Sequence, residues 1–198
     1  NGRYLVPSSD DEVVLLSVSY TNGLRSGTYT RRHRNGALAV SGHYAYGMRD
    51  GVWTYWNQLG KKLGSYTLSL GSGAITEWWH DGKKMAEGRL EAAAKEGPWS
   101  FWRADGTLRE QGGYRKGQRH NLWRFYNRKG EPNGTAVFDN GSGLMIVWHD
   151  NGHRAAYGHV ALGLKTGLWT YCAQGSSPWG QRKRSANYNL VFKNPTSD

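Results

Sequence analysis

Residues 51–60 read GVWTYWNQLG, and this pattern sets the architecture of the whole chain. Glycines stand at both ends, aromatic residues fill positions three, five and six, and polar residues precede the second glycine. The pattern recurs with starts at Gly27, Gly73, Gly97, Asn121, Gly143 and Gly167, so there are seven repeats. Adding 70 to each of the first four start numbers gives the last four, which means that a block of three repeats has been duplicated. A nearly constant period indicates one structural element stacked in tandem.

Each repeat predicts one β-hairpin. The first half, such as VWTYW at residues 52–56, is rich in aromatic and β-branched residues that favour strands. The HDG, ADG, NRKG and HDNG motifs then supply the Asp, Asn and Gly of a tight turn. A small residue followed by Tyr or Val two positions later, as in Gly42-His-Tyr44 and Gly158-His-Val160, predicts the returning strand. We therefore expect an all-β, single-domain array of stacked hairpins forming one elongated, twisted antiparallel sheet.

The two ends of the chain are expected to cap this array. Residues 1–26, with an apolar run at 13–16, predict a segment that covers the first open sheet edge. Residues 27–176 hold the seven repeats, and residues 177–198, with alternating apolar residues near 188–192, predict a second cap. Few segments favour a helix, and one candidate is LEAAAK at residues 90–95, which has strong helix formers but only about a turn and a half.

The strings GVWTYWNQLGKK, GPWSFWRADGTL and NLWRFYNRKGEP resemble the bacterial variant of the MORN repeat over residues 27–176. The resemblance implies an open sheet of stacked hairpins with a grooved face and no enzymatic activity. It also implies binding to proteins or lipid headgroups and, as for several bacterial members, a role as antitoxin or immunity partner of a secreted toxin. Arg31, Glu77 and Cys172 depart from the pattern by replacing aromatic residues. Choline- and glucan-binding cell-wall repeats are also similar, but their adjacent Trp-Tyr-Tyr run does not occur in this sequence.

Composition narrows the classes of protein and partner. Ten Trp, 12 Tyr and 4 Phe supply enough apolar area for a folded core, which argues against intrinsic disorder. The net charge of +11 favours an anionic partner. A single cysteine excludes an intramolecular disulfide and a cysteine-rich zinc cluster, and no apolar run is long enough to span a bilayer. The chain lacks an initiating Met, which leaves bacterial cytoplasm or periplasm open and slightly favours the periplasm.

Strand alternation sorts the aromatic side chains into two stripes. Positions three and five share one face: Tyr29, Trp53, Tyr55, Ile75, Trp99, Phe101, Trp123, Phe125, Met145, Val147, Trp169 and Tyr171. Position six is expected on the opposite face, and its aromatics together with two basic residues are the predicted partner-binding set: Trp56, Trp78, Trp102, Tyr126, Trp148, Arg32 and Arg124. Two interpretations stay open. Both stripes pack between hairpins, or one is exposed and binds a partner.

Motifs for chemistry have structural explanations at the same positions. His80-Asp81 and His149-Asp150 occupy duplicated turns, so turn formation accounts for them better than catalysis or metal binding. The Gly-Ser-Gly segments at residues 71–73 and 141–143 precede strands, which makes them repeat junctions and not phosphate loops. We therefore predict no catalytic residue, no metal site and no cofactor.

Basic clusters allow several anionic partners. They lie at residues 31–34, 61–62, 115–119 and 182–184, close to aromatic residues. No nucleic-acid module accompanies them, so nucleic acid is not favoured, whereas anionic lipid is a rival for the same charges. The leading hypothesis is a non-enzymatic antitoxin or immunity protein that occludes a toxin with an acidic contact surface. The alternative is a membrane or cell-envelope scaffold, and the oligomeric state stays open.

Overall fold

The computed structural model describes residues 1–7, 14–149, 151–162, 164–173 and 181–188. The described regular elements are β-strands, and the chain divides into two compact units, Asn1–Gly106 and Thr107–Asp198. The first unit contains β1 (Gly2–Pro7), β2 (Val14–Thr21), β3 (Leu24–Arg32), β4 (Leu38–Ala45), β5 (Met48–Trp56), β6 (Lys62–Leu68), β7 (Gly73–Trp78), β8 (Lys84–Glu91) and β9 (Ala94–Trp102). The second contains β10 (Leu108–Arg115), β11 (Gln118–Tyr126), β12 (Pro132–Asp139), β13 (Ser142–Trp148), β14 (Arg154–Ala161), β15 (Leu164–Ala173) and β16 (Gln181–Tyr188).

Antiparallel hairpins in chain order make up both units, which confirms the predicted fold class. In the first unit β1 to β6 form a six-stranded sheet, and β7, β8 and β9 belong to a second sheet. In the second unit each strand from β10 to β16 pairs with the next. In the segments expected to be caps, β2 pairs with β3 of repeat 1, and β16 pairs with β15 of repeat 7. The other residues of these segments include 8–13 and 189–198, which lie outside the described residues.

The break between the two sheets lies at the connection from β6 to β7. Only Ser69 and Ser72 pair there, as an isolated bridge around a two-residue turn. Gly73 passes so close to β6 that a Cβ at this position would lie 2.8 Å from the Thr67 carbonyl oxygen. Beyond this bridge β6 and β7 share no ladder, so the hairpins fall into two sheets where the sequence alone predicts one.

Turns within the repeats follow the predicted chemistry. In repeat 2 the Gly60 amide donates to the Asn57 carbonyl, and the Asn57 amide donates to the Lys61 carbonyl, both at 3.0 Å. Gly60 adopts a φ of 74°, as a type I turn followed by a left-handed residue requires. The second glycine has positive φ in the other described turns as well, at Gly36, Gly82, Gly106, Gly130 and Gly152.

Turns between repeats are two-residue turns with positive φ at both positions, the type that matches strand twist. Five of them end in glycine: Asn22-Gly23, Tyr46-Gly47, Leu70-Gly71, Lys116-Gly117 and Asn140-Gly141. Ala92 and Ala93 form the equivalent turn, with φ of 45° and 67°. The helix predicted over residues 90–95 is therefore wrong. A helix of this length is marginal, and strand pairing on both sides of the turn overrides its propensity.

A backbone bulge explains why the spacing between successive repeats has two values. His43 pairs with Asp50 and Ser41 pairs with Thr54, so β5 carries two more residues than β4 between these pairs. Gly51 lies in the bulge with a φ of 69°. Equivalent register shifts surround the leading residues of the other bulged repeats, which also have positive φ: Gly27, Gly97, Asn121 and Gly167.

The repeats that begin at Gly73 and Gly143 lack the bulge, and we call them the short repeats. The β12–β13 pairing, which leads into the second of them, has no register shift. Because the two bulge residues are absent, the first glycine of each short repeat lies two positions closer to the preceding turn than the first residue of a bulged repeat does. The spacing in the sequence therefore reports a backbone feature of the strands.

Tryptophans at position three form the core of each unit. Trp53, Trp99, Trp123 and Trp169 are at most 1% exposed. Each indole lies directly on a glycine of the preceding strand, at Gly42, Gly88, Gly112 and Gly158 respectively. Three of the four indole N–H groups donate to backbone carbonyls ten residues earlier, at 2.9 to 3.1 Å. The predicted stripe at position three is thus core, and the small residue of the returning strand is the surface on which it packs.

Candidate partner-binding face

A cation covers the buried indole of each bulged repeat that has a tryptophan. The distances from the cationic group to the centroid of the indole ring are 4.8 Å for Arg49 and Trp53, 4.5 Å for Lys95 and Trp99, 4.0 Å for Arg119 and Trp123, and 4.4 Å for Lys165 and Trp169. In repeat 1 the equivalent Arg25 lies 5.3 Å from the ring of Tyr44. We call these residues the cation ladder, with Arg25, Arg49 and Lys95 in the first unit and Arg119 and Lys165 in the second. Contacts of this kind between a cation and the face of an aromatic ring are favourable.

The backbone fixes the ladder, because each cation stands two residues after a turn between repeats. The Arg25 carbonyl accepts a hydrogen bond from Gly47 at 2.9 Å, and the Arg49 carbonyl accepts one from Gly71 at 2.7 Å. In the second unit the Arg119 carbonyl accepts from Gly141, also at 2.7 Å. The turn glycine of one repeat is thus tied to the cation of the repeat before it. The spacing of the charges follows from the stacking of the hairpins.

Arg49 has neutral partners. Its guanidinium donates to the Tyr66 hydroxyl at 2.7 Å, and Tyr66 and Tyr55 share a hydrogen bond. Burial raises the pKa of both phenols, so they stay protonated at neutral pH. Among the described residues no carboxylate lies within 4.0 Å of Arg49. The positive charge of Arg49 is therefore not neutralised by an ion pair.

Arg119 has a different environment, although it is the equivalent residue of the second block. Its guanidinium lies 2.8 Å from a carboxylate oxygen of Glu110, and Glu110 is only 8% exposed. The second carboxylate oxygen lies 2.9 Å from the guanidinium of Arg109. The duplication has thus kept the cation on the indole and changed what balances its charge.

Each unit has a cavity beside the ladder, and the two cavities are built from equivalent residues. The cavity of the first unit is about 330 Å3 and that of the second about 390 Å3. The linings correspond position by position in the two blocks: Tyr44 and Tyr114, Arg49 and Arg119, Leu68 and Phe138, Ile75 and Met145, Leu90 and Val160. The first cavity also has Arg25, Glu77 and Lys95 in its wall, so it is the more polar of the two. Glu77 therefore replaces a strand aromatic at the edge of a cationic cavity.

The predicted aromatic stripe at position six does not form a separate exposed face. Trp56, Trp78, Trp102, Tyr126 and Trp148 are all half-buried. Trp78 packs against Tyr55, with ring centroids 5.7 Å apart, and lies on Gly64, the strand partner of Tyr55. Trp148 lies on Gly134 in the same way. The expectation that position six faces away from positions three and five is wrong for Trp78 and Trp148, because both fill the space that opens where strands separate in the short repeats.

The remaining residues of the predicted set are dispersed. Arg32 is exposed and donates to the Gly36 carbonyl of its own turn at 2.9 Å. Arg124 is exposed on β11 between two residues that point into the core, and so faces the other way. The ammonium of Lys84 lies 5.7 Å from the ring of Trp102. Arg32 is thus held by its own turn, and Arg124 and the Lys84–Trp102 pair lie on other strands.

The duplicated His-Asp turn is structural where it can be described. The Asp81 carboxylate accepts a hydrogen bond from the Lys83 amide at 3.1 Å, which lowers the pKa of this carboxyl, and also pairs with the Lys83 ammonium at 3.2 Å. In the second copy His149 contacts the Cys172 carbonyl at 3.3 Å, whereas Asp150 lies outside the described residues. Within the described ranges no group of three or more His, Cys, Asp or Glu side chains is arranged to hold a metal ion.

Sequence reasoning missed the cation ladder although a signal for it exists. In each bulged repeat a basic residue stands four positions before the core aromatic, at Arg25, Arg49, Lys95, Arg119 and Lys165. The interval between these cations alternates between one repeat and two, because both short repeats have glycine at this position. Single cations at such intervals do not stand out beside the basic runs of the turns. Aligning the repeats by structural position makes them visible.

No protein-family model matches this chain, and a search of the curated proteins finds no match either. Membership of the MORN-repeat family therefore stays a prediction from the residues. The part of the chain that the structure describes contains no helix with the length and apolarity needed to cross a membrane.

Proposed function

We propose that this chain is a non-enzymatic binding protein that holds an acidic protein partner against the cation ladder. The observation that carries the proposal is the recurrence of a basic side chain over the buried core aromatic, in both units and at equivalent positions. Arginine beside aromatic residues is typical of the anchors of protein interfaces. The net charge of +11 adds attraction toward an acidic surface. The antitoxin or immunity role that the MORN resemblance implies is the biological form of this proposal.

A second candidate is a scaffold that binds anionic lipid, and one turn favours it. Leu59 is 92% exposed at the tip of the turn in repeat 2, next to the exposed Lys61 and Lys62. An apolar side chain flanked by lysines is suited to the surface of an anionic bilayer. This turn and the ladder residues Arg25 and Arg49 can be altered separately.

Binding to poly-L-glutamate separates recognition by the ladder from general charge attraction. The double variant Arg25→Gln/Arg49→Gln and the matched control Lys61→Gln/Lys62→Gln each remove two positive charges. We expect the ladder variant to weaken binding by about tenfold or more, because charge-assisted hydrogen bonds to the partner are lost. The turn variant should weaken it only about twofold, through reduced long-range attraction. Equal losses in the two variants would contradict the proposal.

Vesicles of phosphatidylserine and phosphatidylcholine test the alternative, that the protein binds anionic lipid. Cosedimentation with these vesicles that depends on Leu59, Lys61 and Lys62, together with no binding to polyglutamate, would overturn the acidic-protein proposal in favour of the lipid scaffold. The immunity role is tested by co-expression with the protein encoded next to this chain's gene. Relief of a growth defect supports that role, and a neighbour without toxicity contradicts it.

A further inference from the structure

One position in the duplicated block exchanges a hydrophobic side chain for a buried acid. Val40 and Glu110 occupy equivalent places in the two blocks and are 5% and 8% exposed, respectively. Val40 pairs with Tyr55, just as Glu110 pairs with Phe125. The backbone site is therefore the same in both units, and only the side chain differs.

In the second unit this position supplies the counter-ion of the ladder. The Glu110 carboxylate lies 2.8 Å from Arg119 and 2.9 Å from Arg109. The position of the Glu110 carboxylate shows where a carboxylate can lie beside a ladder arginine. The planar guanidinium of arginine is well matched to a carboxylate in this position.

In the first unit the cavity at the same place has cations and phenols but no acid in its wall, whereas Glu77 lines the neighbouring cavity, to which Arg49 also contributes. A cavity of about 280 Å3 is bounded by Tyr29, Arg31, Val40, Tyr44, Arg49, Trp53 and Tyr55. Arg31 pairs directly with Val40 across β3 and β4, so its side chain is on the same face of the sheet as Val40. Among the described residues no carboxylate lies within 4.0 Å of Arg31 or Arg49. Arg31 thus lines part of this cavity, at a position where the repeat pattern has an aromatic residue.

We propose that this cavity is a subsite for one carboxylate side chain of the protein partner. The carboxylate lies beside Arg49 as that of Glu110 lies beside Arg119, and Arg31 and the tyrosine hydroxyls supply further donors. The subsite rests on the proposed function and refines it: the first unit takes an acidic side chain from outside, whereas the second unit provides its own. Arg119 is therefore the equivalent cation whose charge Glu110 already balances within the chain.

Propionate, which reproduces the end of a glutamate side chain, is the probe, and propionamide is its neutral isostere. We expect propionate to shift the 15N-edited resonances of the Trp53 indole and the Arg49 Nε–H, saturating at roughly 10–100 mM as befits so small a ligand. Arg49→Gln should abolish the saturable shift of the Trp53 indole, and Lys129→Gln, at an exposed turn lysine outside the ladder, should leave it within about twofold of the parent affinity. Propionamide should produce no saturable shift.

Val40→Glu tests the inference from the opposite direction, because it introduces the counter-ion of the second unit into the first. Loss of propionate binding, with a resolved native-like spectrum, is the expected result. Should this variant fail to fold, the exposed Arg31→Gln is the second test, and it should weaken propionate binding by about threefold or more. Unchanged binding in Arg31→Gln and Arg49→Gln would overturn the subsite.

Competition with inorganic phosphate tests whether the cavity prefers a carboxylate to another anion. Phosphate that binds more tightly than propionate and competes with it would overturn the assignment to a carboxylate. If propionate does not bind while polyglutamate binding still depends on Arg25 and Arg49, the subsite fails and the proposed function stands. Should polyglutamate binding be independent of the ladder while propionate still binds at Arg49, the proposed function fails and the cavity remains a small-anion site.

Discussion

Replacing Gly112 by alanine tests the packing on which the hairpin array depends. An alanine Cβ at this position would overlap the Cδ2 carbon of the Trp123 indole, far inside contact distance. The φ of Gly112 is not positive, so the backbone itself accepts alanine. Any loss of stability therefore reports displacement of the indole.

The size of the loss follows from the burial of Trp123, which is fully enclosed. A tryptophan buries about 150–250 Å2, and at about 25 cal/mol per Å2 this corresponds to about 4–6 kcal/mol. Displacing the ring part of the way forfeits about half of this, and the indole hydrogen bond to the Gly113 carbonyl contributes about 1 kcal/mol more. Alanine in a strand regains up to about 1 kcal/mol relative to glycine. We expect a net loss of about 3 kcal/mol in the free energy of unfolding.

A double-mutant cycle with Trp123→Leu isolates the contact. The free energy of unfolding is measured by urea denaturation, and hydrogen exchange of the β10 and β11 amides checks that the loss is local, since repeat arrays need not unfold in one step. With leucine at position 123 the added methyl has room, so Gly112→Ala should cost less than about 0.5 kcal/mol, giving a coupling of about 2.5 kcal/mol. A cost that is the same in both backgrounds, or below about 0.5 kcal/mol in the parent protein, would overturn the packing argument.

Two further predictions concern the turns and the buried phenols. Ala93→Gly should stabilise the protein by about 0.5–1 kcal/mol in the same urea assay, because Ala93 has a φ of 67° and relief of a strained left-handed alanine outweighs the added freedom of the unfolded chain. The control is Ala94→Gly in the neighbouring strand, which should destabilise the protein. A loss of stability in both variants would contradict the prediction. Burial raises the pKa of Tyr55 and Tyr66 above the unfolded value near 10. Above about pH 10 the unfolded chain therefore loses these protons before the folded protein does. The free energy of unfolding then falls by up to about 1.4 kcal/mol per pH unit for each phenol. Tyr55→Phe should flatten this slope in urea denaturation between pH 9 and 11, and an unchanged slope would show that other groups control it.

The fold could be predicted because its determinants are local and repeated. Turn glycines, aromatic strands and a nearly constant period act within a single repeat and are reinforced seven times, as in VWTYW at residues 52–56. The failed helix at residues 90–95 shows the limit of this reasoning. Ala92 and Ala93 hold a turn that their intrinsic preference opposes, because the strands on both sides are paired. A single segment judged without its neighbours led to the wrong element, and alignment to the equivalent turns would have corrected it.

The candidate site was harder to predict because it depends on backbone features that the alternation of side chains along a strand does not reveal. A two-residue bulge separates the ladder cation from the core aromatic in each bulged repeat, and positive φ at Gly51 and Asn121 marks its position. Strand separation at β6 and β7 brings Trp78 against Tyr55, which a flat sheet would keep apart. The ladder thus recurs in every bulged repeat, whereas the cavities beside it include residues of the short repeats, such as Ile75 and Met145.

Comparison of the two blocks separates residues that build the array from residues that adapt it. The core indole, the glycine beneath it and the cation above it recur at the same places in both units, for example at Trp53 and Trp123. Many positions differ in charge between the blocks, and two of these differences lie in cavities that Arg49 lines, where Val40 corresponds to Glu110 and Glu77 to Val147. Stability alone does not require such changes, because the same packing survives both versions. The two blocks therefore share one packing scheme and differ in the groups that balance the charge of the equivalent arginines, Arg49 and Arg119.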